Sequence, residues 1–291
     1  MIDLHTHTTC SDGTSTPEAL VQEACSAGLR ALAITDHDTF AGFDAALPLA
    51  RQHGLELICG LELSTHLESG QNGRKATVHL LGYFLNHPPP PDFREWLTTI
   101  SSTRRQRNLQ LMAHLRKRGI ALAWEDLPLP PHALGRAHFA RVLVAKGHVP
   151  DQHTAFALHL SDEALAGIHR KLPALTEGIE RITRAGGLTS LAHPVRLPCR
   201  ELPAQHSLIG EIAGSGLHAI EAYHCDHNSQ DTDRLLQLAG DLDLLVTGGS
   251  DYHGANKPGV LLGKGRGDLA VAYAVLERMK HHACISNPPL R

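Results

Sequence analysis

The sequence lacks the features that assign chains to several common classes of protein. Its six cysteines include no CxxC pair, which argues against a zinc finger and against a disulfide framework and favours free thiols. No stretch approaches the length of a membrane span, and the opening MIDLHTH has no basic region followed by an apolar run. These absences predict a cytoplasmic protein with no membrane partner.

An excess of positive charge is also absent. The 27 lysines and arginines are balanced by 30 aspartates and glutamates, which gives a formal net charge of -3. The protein has no overall positive charge that would attract nucleic acid or an acidic membrane, so any anion must be bound by local clusters of positive side chains. We find no internal repeat and no sign of an obligate protein partner.

Histidine, in contrast, is abundant. The chain of 291 residues contains 22 histidines, and the neutral imidazole is the commonest metal ligand in proteins. The hydrophobic content of 42% is sufficient for a full core in one large α/β barrel or in a barrel with an inserted subdomain. Composition alone therefore indicates metal chemistry or acid–base chemistry.

Short apolar runs alternate with helical patterns in the first part of the chain. This βαβαβ order predicts a sheet whose strands are parallel to one another. Thr16 can cap the first helix, with Pro17 at its first position. The predicted strands lie at 2–4, 29–35, 55–59 and 76–84, and the predicted helices at 17–27 and 43–53.

Four consecutive prolines at 88–91 interrupt this order. Such a run can neither continue a strand nor begin a long helix. From residue 92 to about 170 the pattern is helical, with helices at 93–118 and 136–146 that each end at a glycine. The βα order then resumes with helices at 176–185, after Ser229 and at 269–281, and with strands at 188–192, 218–223 and 244–247.

These patterns predict an α/β fold, built as a barrel with a helical insertion. The first part of the barrel is expected over residues 1–87 and the second part over residues 176–291. The insertion, residues 88–175, is expected to cover the active site.

Histidines and carboxylates follow the ends of most predicted strands. His5 and His7 alternate on one strand, so both imidazoles leave the same face and can reach one ion, although an isolated pair would also suit surface or core histidines. The strand ends of a parallel barrel converge on one mouth, which predicts a single constellation. Its other members are Asp12, Asp36, His37, Asp38, Glu62, His79, His193, Glu221, His224, Asp251 and His253.

Such a constellation requires cations. Carboxylates and imidazoles this close together would be strongly unfavourable without them, because desolvated acids and like charges oppose folding. The mixed nitrogen and oxygen ligands, without sulfur, favour manganese, zinc or iron in their divalent forms.

Four motifs contain these positions: DLHTHTTCSDGT at 3–14, ITDHDT at 34–39, AHP at 192–194 and GGSDYHG at 248–254. They resemble the motifs of the PHP (polymerase and histidinol phosphatase) family of metal-dependent phosphoesterases. The resemblance implies a distorted (β/α)7 TIM-like barrel with a trinuclear metal centre. By this resemblance one ion would be held by His5, His7, Glu62 and Asp251, a second by Glu62, His79 and His193, and a third by Asp12, His37 and His253.

The third set departs from the pattern in one residue. Asp12 stands where some relatives carry histidine, which bears on the affinity and identity of the third ion. We therefore expect two or three divalent ions per chain, with manganese favoured over zinc or iron.

Within the family, a short chain with a helical insertion before the AHP strand resembles the 3′,5′-nucleotide bisphosphate phosphatases. This branch also includes 5′ to 3′ exoribonucleases that act on short RNA. The resemblance implies removal of the 3′-phosphate from a nucleoside 3′,5′-bisphosphate such as phosphoadenosine phosphate. A metal-bridging water would be acidified to hydroxide as the nucleophile, and His193 or His224 would protonate the leaving alcohol.

Several residues are candidates for contact with the substrate. Arg136 and His138 begin a predicted helix, where exposed N–H groups and the guanidinium favour a phosphate. Arg196 is a second candidate for phosphate binding, and Tyr223 could stack on a base. A denser basic run, Arg104, Arg105 and Arg107, is interpreted instead as the solvated face of a long helix.

Three other functions fit the same residues. The centre could serve a 5′ to 3′ exonuclease on short RNA or DNA oligonucleotides, or a histidinol-phosphate phosphatase. A non-catalytic metal-binding module is an alternative of a different class, because fold and ligands do not guarantee turnover.

Overall fold

The computed structural model describes residues 1–69, 74–127, 134–161, 163–168, 170–199 and 201–286. The chain forms two compact units. The first, called the barrel unit, consists of Met1–Glu95 and Pro173–Arg291. The second, called the helical unit, consists of Trp96–Leu172.

In the described residues, the strands of the barrel unit form one sheet in chain order. The last strand returns to the first, where the Leu4 N–H donates to the Gly248 carbonyl over 3.2 Å. The sheet is thus nearly closed into a distorted TIM-like barrel, which confirms the predicted fold class. The strands are β1 (Ile2–Asp3), β2 (Ala31–Ile34), β3 (Glu56–Ser69), β4 (Arg74–Phe84), β5 (Leu188–Leu191), β6 (Ala219–His224) and β7 (Leu245–Gly249).

The helices begin and end close to the predicted positions. Thr16 caps the first helix by accepting the Ala19 N–H at 3.2 Å, and Gly54 ends the second with φ +66°. The helices are α1 (Pro17–Ser26), α2 (Ala41–His53), α3 (Pro91–Lys117), α4 (Arg136–Ala145), α5 (Gln152–Ala155), α6 (Leu175–Arg184), α7 (Leu202–Ala213), α8 (Ser229–Asp241) and α9 (Tyr273–Ser286). Sequence patterns missed α7, although Pro203 marks its first turn and Ile209 and Ile212 bury one face.

The prediction of an all-parallel sheet is wrong at β4. This strand runs antiparallel to β3 and to β5, whereas the other neighbouring pairs are parallel. An antiparallel strand directs its N-terminal half toward the end of the barrel where parallel strands terminate. His79, Leu81 and Tyr83 alternate along β4, and Leu81 and Tyr83 lie in the apolar core. On this face of the strand, His79 therefore precedes the buried residues.

β3 is also longer than the predicted strand at 55–59. It continues to Ser69. From Cys59 onward it pairs with β4, with Glu62 opposite Leu81 and Ser64 opposite His79. Glu62 consequently lies within a strand rather than in a loop after one. The surrounding backbone hydrogen bonds hold it more firmly than a loop would.

The proline run does not exclude a helix start, contrary to the prediction. α3 begins at Pro91, the last proline of the run. The first position of a helix has no intrahelical use for its N–H, so proline is tolerated there.

The interpretation of the basic run as a solvated face is wrong for two of its three arginines. Arg104 and Arg107 are only 6% and 7% exposed, whereas Arg105 is exposed. They share the helix face that carries Leu111 and Leu115, which are buried in the apolar core of the helical unit.

None of the helices in the described part of the chain combines the length and apolar character that crossing a bilayer requires.

Candidate metal centre

Glu62 lies at the centre of the cluster of predicted ligands. It is 1% exposed, and both of its carboxylate oxygens face imidazoles. Oε2 lies 3.3 Å from His5 Nε2, 3.1 Å from His7 Nε2 and 3.3 Å from His37 Nδ1. Asp251 Oδ1 lies 3.5 Å from the same nitrogens of His5 and His7. The two histidines of the HxH motif thus converge on one point, as their spacing predicts.

The other oxygen of Glu62 faces a second group. Oε1 lies 2.8 Å from His79 Nδ1 and 2.9 Å from His193 Nε2. Glu62 therefore stands between two sets of imidazoles, which is the arrangement expected of a bridging ligand.

Asp12 gathers a third group. Its Oδ1 lies 3.2 Å from His253 Nε2, and its Oδ2 lies 3.4 Å from His37 Nε2. The structure therefore brings together all nine residues predicted as metal ligands, namely His5, His7, Asp12, His37, Glu62, His79, His193, Asp251 and His253.

The cluster fits divalent cations. Three buried nitrogens that face Glu62 Oε2 have no hydrogen-bond partner: His5 Nε2, His7 Nε2 and His37 Nδ1. Buried polar atoms without a partner cost free energy and are rare in folded proteins, so their convergence on one carboxylate indicates a ligand. The donors are imidazole nitrogens and carboxylate oxygens, which suit manganese, zinc or iron.

Protons and ions compete for the histidines beside the carboxylates. Burial disfavours the charged form of His5, but Glu221, Glu62 and Asp251 outweigh burial and hold the pKa of His5 well above its usual range. Burial likewise opposes protonation of His7, but the nearby carboxylates of Asp251 and Glu62 raise its pKa to about 10. Metal binding must therefore displace protons from these side chains.

The pKa of His193 is shifted in the opposite direction. Burial, only partly offset by the hydrogen bond to Glu62, lowers the pKa of His193 to about 3. Its imidazole is neutral at neutral pH, with Nε2 directed at Glu62 Oε1, and so is ready to act as a ligand.

Glu221 positions two of these histidines. Its Oε1 lies 2.8 Å from His5 Nδ1, and its Oε2 accepts the backbone N–H of His193 at 2.7 Å. A carboxylate partner holds a proton on His5 Nδ1 and leaves Nε2 directed at Glu62. The sequence places Glu221 at a strand end but gives no indication of this positioning role.

Glu221→Gln is expected to weaken metal binding about 10- to 100-fold, the usual effect of losing such a partner. An amide can accept only one of the two hydrogen bonds and presents its NH2 to the other donor. Competition with a chelator would measure the affinity, with Glu211→Gln, at an exposed position on α7, as the control. Equal affinity in the two variants would show that Glu221 does not position the ligands.

Two carboxylates of the ITDHDT motif do not join the centre, contrary to the prediction of one constellation. Asp36 accepts the Thr8 N–H at 2.8 Å, and Asp38 accepts the Ser64 N–H at 2.7 Å. Both stabilise the strand-end loops, and only His37 faces Glu62.

Unusual backbone conformations support the cluster. His193 has φ +30° and Asp251 has φ +54°, a region that costs free energy for residues other than glycine and that persists at functional sites. The Asp251 N–H donates to the His5 carbonyl at 2.8 Å. A Cβ on Gly249 would lie 2.3 Å from His5 N, so the close approach of β7 to the segment that follows β1 requires glycine.

Positive charge lines one side of the centre. Lys257 Nζ lies 2.7 Å from Asp251 Oδ2, and Arg196 Nη2 lies 3.1 Å from the same oxygen and also pairs with Asp226. Sequence analysis identified Arg196 but missed Lys257. A turn at Gly254–Asn256 returns Lys257 to Asp251, six residues earlier in the chain, which spacing alone does not reveal.

His224 also contacts Asp251. Its Nδ1 accepts the Asp226 N–H at 3.0 Å, so the proton of the neutral ring lies on Nε2, 3.2 Å from Asp251 Oδ2. His224 thus holds a proton beside the centre, and its role in catalysis remains a prediction.

The other predicted substrate contacts have structural partners. In the helical unit, Arg136 Nη1 donates to the Leu160 carbonyl at 3.1 Å, and His138 Nδ1 accepts the Gly135 N–H at 3.0 Å at the start of α4. In the barrel unit, Tyr223 packs against the apolar core. Their roles in substrate binding remain predictions.

Comparison with known proteins identifies relatives over most of the chain. The PHP domain matches residues 3–163. A 5′-3′ exoribonuclease of Haemophilus influenzae is 33% identical over 252 residues, which cover 86% of this chain and 89% of the relative. A 3′,5′-nucleoside bisphosphate phosphatase of Chromobacterium violaceum is 30% identical over 264 residues, 89% of each chain.

A solved structure is similar over the full length. A protein from Bifidobacterium adolescentis, described as a metal-dependent phosphoesterase, superposes with a TM-score of 0.79 at 29% identity and covers 100% of this chain and 96% of its own. The protein therefore belongs to the PHP domain family of metal-dependent phosphoesterases.

Proposed function

We propose that the protein hydrolyses the 3′-phosphate of nucleoside 3′,5′-bisphosphates, such as phosphoadenosine phosphate, to a nucleoside 5′-monophosphate and phosphate. The observation that carries this proposal is the cluster of imidazoles and carboxylates around Glu62, with Arg196 and Lys257 beside it. The bisphosphate phosphatase relative supports the choice of substrate.

The metal ligands are proposed in three sets, of which the first two share Glu62. Divalent ions bound there would supply the positive charge that polarises phosphoryl oxygens and lowers the pKa of water. We favour two or three ions, with manganese first and zinc or iron as alternatives. The sets are His5, His7, Glu62 and Asp251; Glu62, His79 and His193; and Asp12, His37 and His253.

The side chains beside the ligands are proposed to bind the phosphoryl group and to protonate the leaving alcohol. Arg196 and Lys257 place two positive charges next to Asp251, where a phosphoryl group can be held and oriented. The leaving alcohol requires a proton, and His224 carries one on Nε2. His193 is the weaker candidate for this role because its Nε2 faces Glu62.

Phosphate release from a substrate panel tests the proposal. The panel contains 3′,5′-bisphosphonucleotides, histidinol phosphate, simple monoesters and 5′-phosphorylated RNA oligonucleotides, each assayed with manganese. We expect the bisphosphonucleotides to react fastest and His193→Ala to lower the rate at least about 100-fold. His206→Ala, at an exposed position on α7, is the matched control and should retain the wild-type rate.

Other outcomes of the panel would support other functions. Faster cleavage of RNA oligonucleotides would favour the 5′ to 3′ exonuclease, which the Haemophilus influenzae relative makes the main alternative. Preference for histidinol phosphate would identify a histidinol-phosphate phosphatase. A metal-loaded protein that releases no phosphate from any substrate would be a non-catalytic metal-binding module.

We also propose a cytoplasmic location, with nucleotides rather than a membrane or an obligate protein as partners. All six cysteines are free thiols, in keeping with a reducing compartment. Fractionation of cells that produce the tagged protein would test this.

A further inference from the structure

Asp226 contacts three positive side chains beside the metal centre. Its Oδ2 accepts the Arg196 Nε–H at 3.1 Å and also pairs with Arg196 Nη2, and Lys257 Nζ lies 3.9 Å from the same oxygen. The other oxygen, Oδ1, accepts a hydrogen bond from Arg266 Nη2 at 3.2 Å. Arg266 is thus a third cation at this side of the centre, and neither the ligand sets nor the proposed phosphoryl contacts give it a role.

The three cations form a row that runs from the metal centre toward solvent. Lys257 and Arg196 both contact Asp251 Oδ2, at 2.7 and 3.1 Å. The exposed fraction of the side chain rises from 3% for Asp251 to 20% for Lys257, 40% for Arg196 and 55% for Arg266. Arg266 therefore lies at the outer end of the row, on the far side of Asp226 from Arg196.

The backbone that carries Arg266 is tied to the metal centre. A turn of residues 261–265 precedes it, and the two ends of this turn exchange hydrogen bonds at 2.6 and 2.8 Å. Within the turn, the Gly263 N–H donates to Oδ2 of the buried Asp3 at 2.8 Å. Oδ1 of Asp3 accepts the N–H of the residue immediately before Asp251, also at 2.8 Å. One buried carboxylate thus fixes the turn relative to a proposed metal ligand.

The row carries more positive charge than its carboxylates neutralise. Lys257, Arg196 and Arg266 each carry one positive charge, and Asp226 supplies one negative charge. Asp251 supplies another, but the proposed ions share it. An anion placed along the row would therefore meet an excess of positive charge, and guanidinium groups bind phosphate oxygens through paired N–H groups.

The order of the row suits a substrate with two phosphates. Lys257 and Arg196 stand next to Asp251, where the phosphoryl group that reacts would lie. Arg266 contacts the opposite oxygen of Asp226, so a second anionic group, joined to the first by a short linker, would reach it. In a nucleoside 3′,5′-bisphosphate, one ribose separates the two phosphates.

We propose that Arg266 binds the 5′-phosphate of a nucleoside 3′,5′-bisphosphate, the phosphate that is not hydrolysed, and that Asp226 is a positioning residue for Arg266. This assignment rests on the proposed function, because it takes the 3′-phosphate to be the one at the metal centre. A guanidinium has five N–H donors, so Arg266 can bind a phosphate without releasing Asp226. The contact with Asp226 orients Arg266 before the substrate binds, which reduces the entropic cost of binding.

Steady-state kinetics with manganese test the assignment. The substrates are adenosine 3′,5′-bisphosphate and adenosine 3′-monophosphate, which lacks the 5′-phosphate. Arg266→Gln is expected to lower the ratio of their kcat/KM values, bisphosphate over monophosphate, about tenfold, because charge-assisted hydrogen bonds to only one of the substrates are lost. Arg278→Gln, at an exposed position on α9, is the matched control and should keep the wild-type ratio. An unchanged ratio in Arg266→Gln would overturn the assignment.

A double variant tests the positioning role of Asp226. Asp226→Asn should lower the same ratio, and its combination with Arg266→Gln should lower the ratio no further than Arg266→Gln alone, because Asp226 acts on the ratio through Arg266. Damage to the fold or to the metal centre would instead slow both substrates and leave the ratio unchanged. Losses that add in the double variant would show that Asp226 does not act through Arg266.

Binding without turnover separates this assignment from the proposed hydrolysis. Adenosine 5′-monophosphate carries only the phosphate assigned to Arg266, and calorimetry can measure its affinity for the manganese-loaded protein. Arg266→Gln should bind it about tenfold more weakly than Arg278→Gln does. Equal affinities would overturn the assignment even if the bisphosphate is hydrolysed, whereas weaker binding in Arg266→Gln would support it even if no substrate reacts.

Discussion

Glu62→Gln is expected to empty the metal centre and to lower phosphate release at least about a thousandfold, the scale of loss when a residue that acts as part of a unit is removed. Both carboxylate oxygens of Glu62 face imidazole nitrogens, at 2.8 to 3.3 Å. Glutamine replaces one oxygen with an NH2 group that cannot bind an ion and removes the charge that two of the three ligand sets share. Metal content by mass spectrometry and phosphate release would measure the two losses together.

Glu56→Gln is the matched control for this variant. Glu56 lies on the same strand, where its carboxylate accepts the Tyr273 hydroxyl at 2.7 Å outside the centre. It should keep both metal and activity. If Glu62→Gln retained its metal and its rate, Glu62 would not be the shared ligand and the arrangement of the centre would be refuted.

The metal-free protein is expected to lose stability as the pH rises from about 6.5 to about 10. His7 has a folded pKa of about 10 against an ordinary value of 6.5, so its contribution is complete below pH 6.5 and is lost as the pH rises through the folded pKa. His5, whose pKa is also raised, acts in the same direction. The cause is the surrounding carboxylates, which lose their cationic partners when these imidazoles become neutral.

Melting temperatures measured across this pH range, in EDTA and in manganese, would check the expectation. Manganese should remove the decline, because the ions replace the lost protons. His7→Asn in EDTA should show a smaller decline, while His206→Asn at an exposed position should match the wild type. A metal-free protein equally stable at pH 6.5 and pH 10 would show that protonated imidazoles do not stabilise the surrounding carboxylates.

The gathering of the candidate ligands at one mouth could be predicted from strand geometry, whereas the choice of nine of them came from the family resemblance. His5 and His7 are two residues apart just after β1, and the ends of parallel strands meet at one mouth. His79 is the exception. The sequence places this histidine within a strand. A single run of apolar residues does not reveal the antiparallel direction of β4, which brings His79 to the mouth.

The surroundings of the ligands were less predictable. Glu221 and Asp226 act through contacts between segments that are distant in sequence, and Lys257 reaches Asp251 through a turn, so no regular local spacing encodes these contacts. Asp36 and Asp38 resemble ligands in the sequence because both follow a strand. A carboxylate that stabilises a loop by hydrogen bonds and one that binds an ion occur at the same kind of position.

The arginines of α3 could have been recognised. Arg104 and Arg107 fall in register with Leu111 and Leu115, so the helical period places them on the apolar face. Charge density suggested a solvated surface, but position along the helix determines which side a residue occupies.

Phosphorus NMR of adenosine 3′,5′-bisphosphate mixed with the metal-free protein, before and after addition of manganese, tests the central claim most directly. We expect no change without metal, then conversion of the 3′-phosphate signal to inorganic phosphate while the 5′-phosphate remains. A protein that binds manganese and leaves both signals unchanged, or one that removes the 3′-phosphate in EDTA, would contradict this account.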